Sequence, residues 1–268
     1  MKAVFSVVTV SLIGLASVAQ AFNADDMKRF KESGICVDCN LQKSKLQADI
    51  MPGVDLSESN LRDAILKNVS LEKAKLVEAD LRRADLEKSN LKVADLTEAT
   101  LRNTDLEKAD ISNASLERAD LREADLENAQ AVKANFVEAD LRHANMKRGN
   151  FSGADFTDTQ LSNANLKRAI LNNATFTNAK MKDVRLTRAD LVNADFSGAI
   201  LSRSTFFRAD LSNADFSGAD LSDTILWGAN LSGANLEDAE DLDQEQLGNA
   251  CGNAETRLPD GLSVPACP

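Results

Sequence analysis

A five-residue period runs through this chain and constrains its fold more than any other feature. From Leu56 to Leu236 every fifth residue is Leu, Ile, Met or Phe, with Ala131 the sole exception. Two places before each stands a small residue, usually Ala, as in Ala64/Leu66, Ala84/Leu86 and Ala234/Leu236. Asp or Asn commonly fills the place between. Such a period matches neither the helical repeat of about 3.6 residues nor the strand repeat of about 2. It is the mark of a stacked array, to be read before any local propensity.

A longer period lies inside the short one. Phe136, Phe156, Phe176, Phe196 and Phe216 recur every twenty residues, and so do Arg62, Arg82, Arg102, Arg122 and Arg142. An apolar and a charged ladder at one spacing predict that residue n lies above residue n−20. Duplication of a twenty-residue segment would leave the same trace, and both readings favour a twenty-residue coil built from four pentads.

Tandem A(D/N)LXX units, such as Ala79-Asp80-Leu81-Arg82-Arg83 and Ala229-Asn230-Leu231-Ser232-Gly233, resemble those of the pentapeptide-repeat family over roughly residues 41–240. The resemblance implies an all-β solenoid, a right-handed quadrilateral β-helix. The apolar residue and the small one two before it would point inward, so large and small side chains alternate and a narrow core fills without voids. About ten coils at a spacing near 4.8 Å make a rod roughly 45–50 Å long. Open ends of a solenoid need caps.

The N-terminus reads as an export signal. Lys2 precedes an apolar run from Ala3 to Val18, followed by the small-x-small site Ala19-Gln20-Ala21. The run is short of the roughly 20 residues that span a membrane, and no Cys follows the site to carry a lipid anchor. The expected mature chain begins at Phe22 in the periplasm or an equivalent lumen. Cysteine usage fits export: Cys36 and Cys39 precede the array, Cys251 and Cys267 follow it. Two staples in an oxidising compartment are expected, and a Cys251–Cys267 bridge is worth about 3 kcal/mol in the chain-entropy account. For Cys36-Val-Asp-Cys39 a structural disulfide or buried thiols is the favoured reading, with a redox-active pair or half a metal site as alternatives. The sequence supplies no second CxxC and no companion His for zinc.

The chain thus divides into a signal peptide (1–21), an N-terminal cap with the CxxC (22–40), the repeat array (41–240) and a helical cap with a disulfide-closed tail (241–268). A short helix is predicted over Asn23 to Ser33, stopped by Gly34. A second is predicted from Asp243, with Gln246 three places on as in a capping box and Gly252 after its end. Ala48-Asp49-Ile50 runs one residue ahead of the grid, so Met51-Pro52-Gly53 is expected to be a bulge or short loop.

Nothing in the pattern points to catalysis. The lone histidine, His143, falls on an outward position beside Arg142, and the chain has no Tyr and no phosphate-binding glycine loop. Carboxylates are numerous but would sit on a convex surface, whereas catalysis needs a concave site. No enzyme, cofactor or metal site is expected. Function is left to the outer faces. Glu78–Arg82 and Glu98–Arg102 are expected ion pairs, each worth about 0–1 kcal/mol, and both ladders are read mainly as structural.

One face departs from the overall charge of −11. It gathers Lys147, Arg148, Lys167, Arg168, Arg185, Arg188 and Arg208, with Phe207 and Trp227 pointing outward. Exposed aromatics among arginines have the composition of binding hot spots. Packing of the tail (Leu258, Leu262, Val264) over these aromatics is the favoured reading, and a partner site the alternative. The acidic half of the face (Asp85, Glu87, Asp105, Glu107, Asp125, Glu127) makes the rod electrically polar along its length.

The expectation is an exported, non-enzymatic rod that binds a protein partner, as a monomer or end-to-end dimer, without direct nucleic-acid contact or a membrane anchor. The alternative comes from the resemblance: some pentapeptide-repeat proteins mimic DNA and bind type II topoisomerases. An export signal argues against it, because a topoisomerase is cytoplasmic.

Overall fold

Each pentad settles its backbone hydrogen bonds in one repeated way. In a computed structural model, which describes residues 22–46 and 51–268, the Leu81 N–H donates to Thr100 O and the Arg83 N–H to Arg102 O of the next coil. The Asp80 N–H donates back to Ser59 O, and the Ala84 N–H closes a turn onto Leu81 O. The fifth donor, the Arg82 N–H, goes to the Asp80 carboxylate. Every donor of the unit is thereby used, as buried backbone demands. This explains why Asp or Asn commonly precedes the apolar residue: its side chain takes the N–H two places on, as in an Asx turn. Asp85, Asp95, Asp105 and Asn150 do the same. The leader at 1–21 and Ala48-Asp49-Ile50 lie outside the described residues.

Parallel bridges join each Asp/Asn position to its counterpart twenty residues on, as in Asp55–Lys75–Asp95–Ser115 and Asp80–Thr100–Asp120–Asp140. Columns repeat every five residues along the chain, so each twenty-residue coil has four sides. A side contributes one bridged residue and no extended strand. The β character is therefore carried by bridges stacked between tight turns.

Those turns hold their third residue in the left-handed region. Lys73 (φ 58°), Glu78 (φ 56°), Arg83 (φ 58°) and Asn103 (φ 56°) are typical, giving the φ pattern of a type II turn. The expected bulge or short loop at Met51-Pro52-Gly53 is one of these regular turns, with no bulge. The Met51 N–H donates to Ser70 O and the Gly53 N–H to Glu72 O, in the standard register. Pro52 occupies the one place whose N–H the ladder does not need, and Gly53 takes the positive φ of 68°. Val93 is the poorest fit to its turn, a β-branched residue at φ 59° and 51% exposed. Such a residue is a backbone outlier. Val93→Asn should therefore raise stability by about 1 kcal/mol, read as a higher melting midpoint.

The core follows the two-position rule: the apolar residues from Leu56 to Leu236 and the small residues before them are buried. The phenylalanine ladder is a continuous stack. Ring centroids are 4.8 Å apart for Phe136–Phe156 and 4.9 Å for each pair up to Phe216, with interplanar angles of 2–9°. Phe151 adds a ring beside the stack, tilted against Phe136 and Phe156. It is admitted by Gly149, where a Cβ would lie 2.4 Å from Phe151 Cε2. Where Ser or Thr replaces Ala inside, its hydroxyl generally finds a carbonyl of the preceding coil, as Thr104 does on Leu81 O and Thr159 on Phe136 O.

Both ends are closed. Helix α1 (Ala24–Ser33) is capped by the Asn23 side chain and ended by Gly34 at φ 68°. It buries Phe30 against the first coil, where Ile35 already bridges Asp55. A disulfide joins Cys36 to Cys39 beneath it, and both cysteines are buried. Helix α2 (Gln244–Leu247) opens with a capping box between Asp243 and Gln246. It ends at Gly248, four residues before the expected Gly252, which instead bridges Ala266. A second disulfide joins Cys251 to Cys267.

The tail lies over the end of the column and not over the aromatics, so the favoured tail-packing reading is overturned. Leu231, Gly233 and Leu236 of the last regular coil have N–H groups with no further coil to bond. Cys251 O, the Asn253 side chain and Arg257 O accept them, and Leu258, Leu262 and Val264 pack against the core there. Unmet backbone donors and open core decide where the tail goes. Trp227 stays 59% exposed.

Candidate interaction surface

The charge ladders pair by several geometries, two of them recurrent, and none is the expected separation of four. Asp at the bridge position and Arg two residues on project from the same side of the chain. Arg82 Nε thus lies 2.7 Å from Asp80 Oδ1, and Arg142 Nη2 lies 2.5 Å from Asp140 Oδ2. Turn residues pair straight down the stack: Arg83 with Asp63 (2.7 Å), Arg118 with Glu98 (2.8 Å) and Arg203 with Asp183 (2.9 Å). The expected Glu78–Arg82 and Glu98–Arg102 pairs do not form. A separation of four residues crosses a corner, so Arg102 turns to Asp120 and Glu98 to Arg118.

Several of these carboxyls are held below their ordinary pKa. Burial by itself would push Asp80 up, but hydrogen bonds from the Arg82 side chain and N–H, with the charges of Arg82 and Arg62, outweigh it. The Arg83 guanidinium does the same for Asp63, and the Arg203 guanidinium for Asp183. A depressed folded pKa gives stability that is complete above the unfolded value of about 4 and lost as pH falls through the folded value. The melting midpoint should therefore be flat near neutrality and fall in acid below about pH 4. Asp80→Asn, which keeps an acceptor for the Arg82 N–H, should make that fall shallower.

Among the described residues one carboxylate trio, Asp85, Glu87 and Asp105, brings ligand oxygens within 4.8 Å of one another. Lys67 and Lys88 already pair with Glu87. His143 is exposed at a turn position with φ 63°.

The basic face is a real concavity. Lys147, Arg148, Lys167, Arg168, Arg188 and Phe207 line a shallow groove of about 410 Å³, joined by Thr187, which sequence reasoning missed. Arg208 closes one end, its guanidinium carbon 5.1 Å from the centroid of the Phe207 ring. Trp227 stands edge-on to Phe207, with centroids 5.4 Å apart at 75°. Ile225, 50% exposed, adjoins them. Arg185 is exposed on the same face without lining the groove. At the acidic end, Lys147 and Arg148 reach Glu127 at 3.1 and 3.5 Å. Among the described residues Lys167, Arg168, Arg185, Arg188 and Arg208 have no carboxylate partner. Beyond Trp227 the character reverses: Asp223, Asp241, Asp243 and Glu245 line a depression of about 620 Å³ against α2.

No helix among the described residues is long and apolar enough to cross a membrane. A sequence profile described as "Pentapeptide repeats" matches overlapping segments from residue 35 to residue 238. No curated protein sequence matches the chain. Among solved structures, HetL, a pentapeptide repeat protein involved in heterocyst differentiation regulation in the cyanobacterium Nostoc sp. strain PCC 7120, is similar at 33% identity and a TM-score of 0.64, over 79% of this chain and 96% of its own. QnrB1, a plasmid-mediated fluoroquinolone resistance protein, is 18% identical at a TM-score of 0.45, over 78% of this chain and 91% of its own. A pentapeptide repeat protein of the Arabidopsis thaliana thylakoid lumen is 31% identical at a TM-score of 0.26, over 38% of this chain and 67% of its own.

Proposed function

Because the chain belongs to the pentapeptide-repeat family, we propose that it is a non-enzymatic, exported rod that binds a protein partner through its charged outer faces, chiefly the basic groove and the Phe207–Trp227 pair. Right-handed winding and a count of about ten coils at the strand spacing are part of the same reading. One observation carries the assignment of the contact surface. Among the described residues every arginine off this face pairs with a carboxylate, whereas Arg168, Arg188 and Arg208 have no such partner and stand beside an exposed Trp. Such a site combines the residues enriched in binding hot spots. A stiff solenoid also presents its surface without the ordering cost that a flexible binder incurs.

Export is supported by the n-region, apolar run and small-x-small site before Phe22, and by cysteines paired at both ends. A DNA mimic would present anions along its length, and cations on this face run against that alternative. The test uses protein purified from its native host. A mature mass starting at Phe22, with no alkylatable thiol and a protein crosslinked through a photoreactive residue at position 227, is the expected result. An unprocessed chain with four free thiols, or no crosslinked protein, overturns the reading.

A further inference from the structure

Elsewhere on the rod, an arginine at the third turn position has a carboxylate at the same position one coil away. Arg83 has Asp63, Arg118 has Glu98 and Arg203 has Asp183. One column breaks that pattern. Arg148, Arg168, Arg188 and Arg208 follow one another every twenty residues, with backbone bonds tying Arg148 to the coil of Lys167 and Arg188 to that of Phe207. The core rings of successive coils lie 4.9 Å apart, so the backbone that carries these arginines rises by a step of that order from coil to coil. Only Arg148 reaches a carboxylate, Glu127. Stacked like charges repel, and Lys167 at the groove adds to the repulsion. The fold does not require this arrangement, since its other faces show the paired alternative at the same geometry.

Resting on the partner-binding reading above, we infer that the groove receives an extended acidic segment of a protein partner. Its carboxylates neutralise Lys167, Arg168, Arg188 and Arg208, and an apolar side chain seats on Ile225 and Trp227. The direction of the segment follows from the surroundings. Past Trp227 the surface turns acidic at Asp223, Asp241, Asp243 and Glu245, which repels further carboxylates. The acidic stretch therefore lies along the arginine column and the apolar anchor at the end nearer α2. A single-stranded nucleic acid is the poorer fit. Its bases need aromatic faces set along the cationic track, whereas the two rings here stand edge-on to each other at one end of it.

The arginine column has an unusual signature: the same substitution should improve the rod and impair the site. Arg188→Glu places a carboxylate between Arg168 and Arg208, recreating the pairing seen at Arg83, Arg118 and Arg203. Its melting midpoint should rise, while binding falls. Trp227 is the chain's single tryptophan, and the chain has no tyrosine, so intrinsic fluorescence reports directly on the site. The probe is a synthetic peptide of six glutamates followed by two leucines, with a twenty-nucleotide oligo-dT as competitor class.

The expected result is a saturable change in Trp227 emission with the peptide. Its affinity should weaken as salt rises, by at least about tenfold in Arg188→Glu and by less in Arg188→Gln. No response to the peptide, equal binding by Arg188→Glu, a lowered melting midpoint in that variant, or tighter binding of oligo-dT overturns the inference. The position-227 crosslink separates the two readings. If Arg188→Glu retains the crosslinked partner, the acidic-segment inference fails and the partner-binding rod stands; if wild-type protein captures none, the rod reading itself fails.

Discussion

Phe176→Ala should lower the unfolding free energy by about 3–5 kcal/mol, at the upper end for a single core truncation. The ring is fully buried, 4.9 Å from Phe156 on one side and 4.9 Å from Phe196 on the other, at interplanar angles of 2° and 5°. Its removal takes away apolar burial and two offset-stacked contacts, each worth about 0.5–1.5 kcal/mol beyond area. Collapse into the gap is prevented by the ladder. The Phe176 N–H is bonded to Asp195 O, and the Phe156 N–H to Thr175 O, so the neighbouring rings cannot move together without breaking backbone bonds. A solenoid is a chain of nearest-neighbour couplings, and a defect at this coil weakens the link between the two halves. Urea unfolding followed by circular dichroism should show a lower midpoint and a broader or two-step transition. A loss below about 1 kcal/mol with unchanged cooperativity would mean that the stack is not what couples the coils.

The second large effect concerns the C-terminal closure. Cys251→Ser/Cys267→Ser should cost about 3 kcal/mol from restored freedom of the unfolded chain, and should also change the state of association. The tail supplies acceptors for the N–H groups of Leu231, Gly233 and Leu236, and covers the core with Leu258, Leu262 and Val264. Once frayed, it leaves an unpaired edge above a hydrophobic column, which is a template for another chain. Sedimentation of the double variant should show concentration-dependent end-to-end association at a lower melting midpoint. Cys36→Ser/Cys39→Ser is the control. Its loop spans three residues, and Phe30 and the Asn23 cap hold α1 independently, so both effects should be smaller. A double variant at the C-terminus that stays monomeric and melts like wild type would remove the tail's capping role.

The interior was readable from residue identities because it obeys position alone. Whatever stands at Leu56 or Phe216 is buried, and the twenty-residue recurrence of Phe already implied rings in a column. The turn conformation was not readable. Lys73, Glu78, Arg83 and Val93 share the left-handed φ with Asn103 and Gly153, so composition at that place carries little conformational signal. The stack itself, by fixing N–H groups on both sides, enforces the geometry. Ion pairing was misjudged for a related reason. Separation along the chain says little when a corner lies between two residues, and Arg102 found Asp120 in the next coil instead of nearby Glu98. The basic face was legible because the pentad grid assigns each residue to a side, and that grid placed Lys147 through Phe207 along one groove. The tail was misplaced because its destination depends on unmet donors at the end of the column, which no local pattern in Leu258 to Val264 records.

The hydrogen-bond ladder has one more consequence, which concerns how such a molecule can grow. A regular pentad gives three of its N–H groups to residues 19 ahead or 21 behind, and this pattern is the same on each side of the square. An inserted block of twenty residues lengthens the rod and leaves every column aligned. An inserted block of five within the array would keep every inward position inward, yet everything downstream would be rotated by a quarter turn, and the phenylalanine stack would be split with it. The arginine column would then be broken at the insertion, and the groove would look out in a new direction relative to α1. The choice of inward and outward positions and the alignment of columns thus answer to different quanta of length, and only the larger quantum preserves both the ring stack and a binding face.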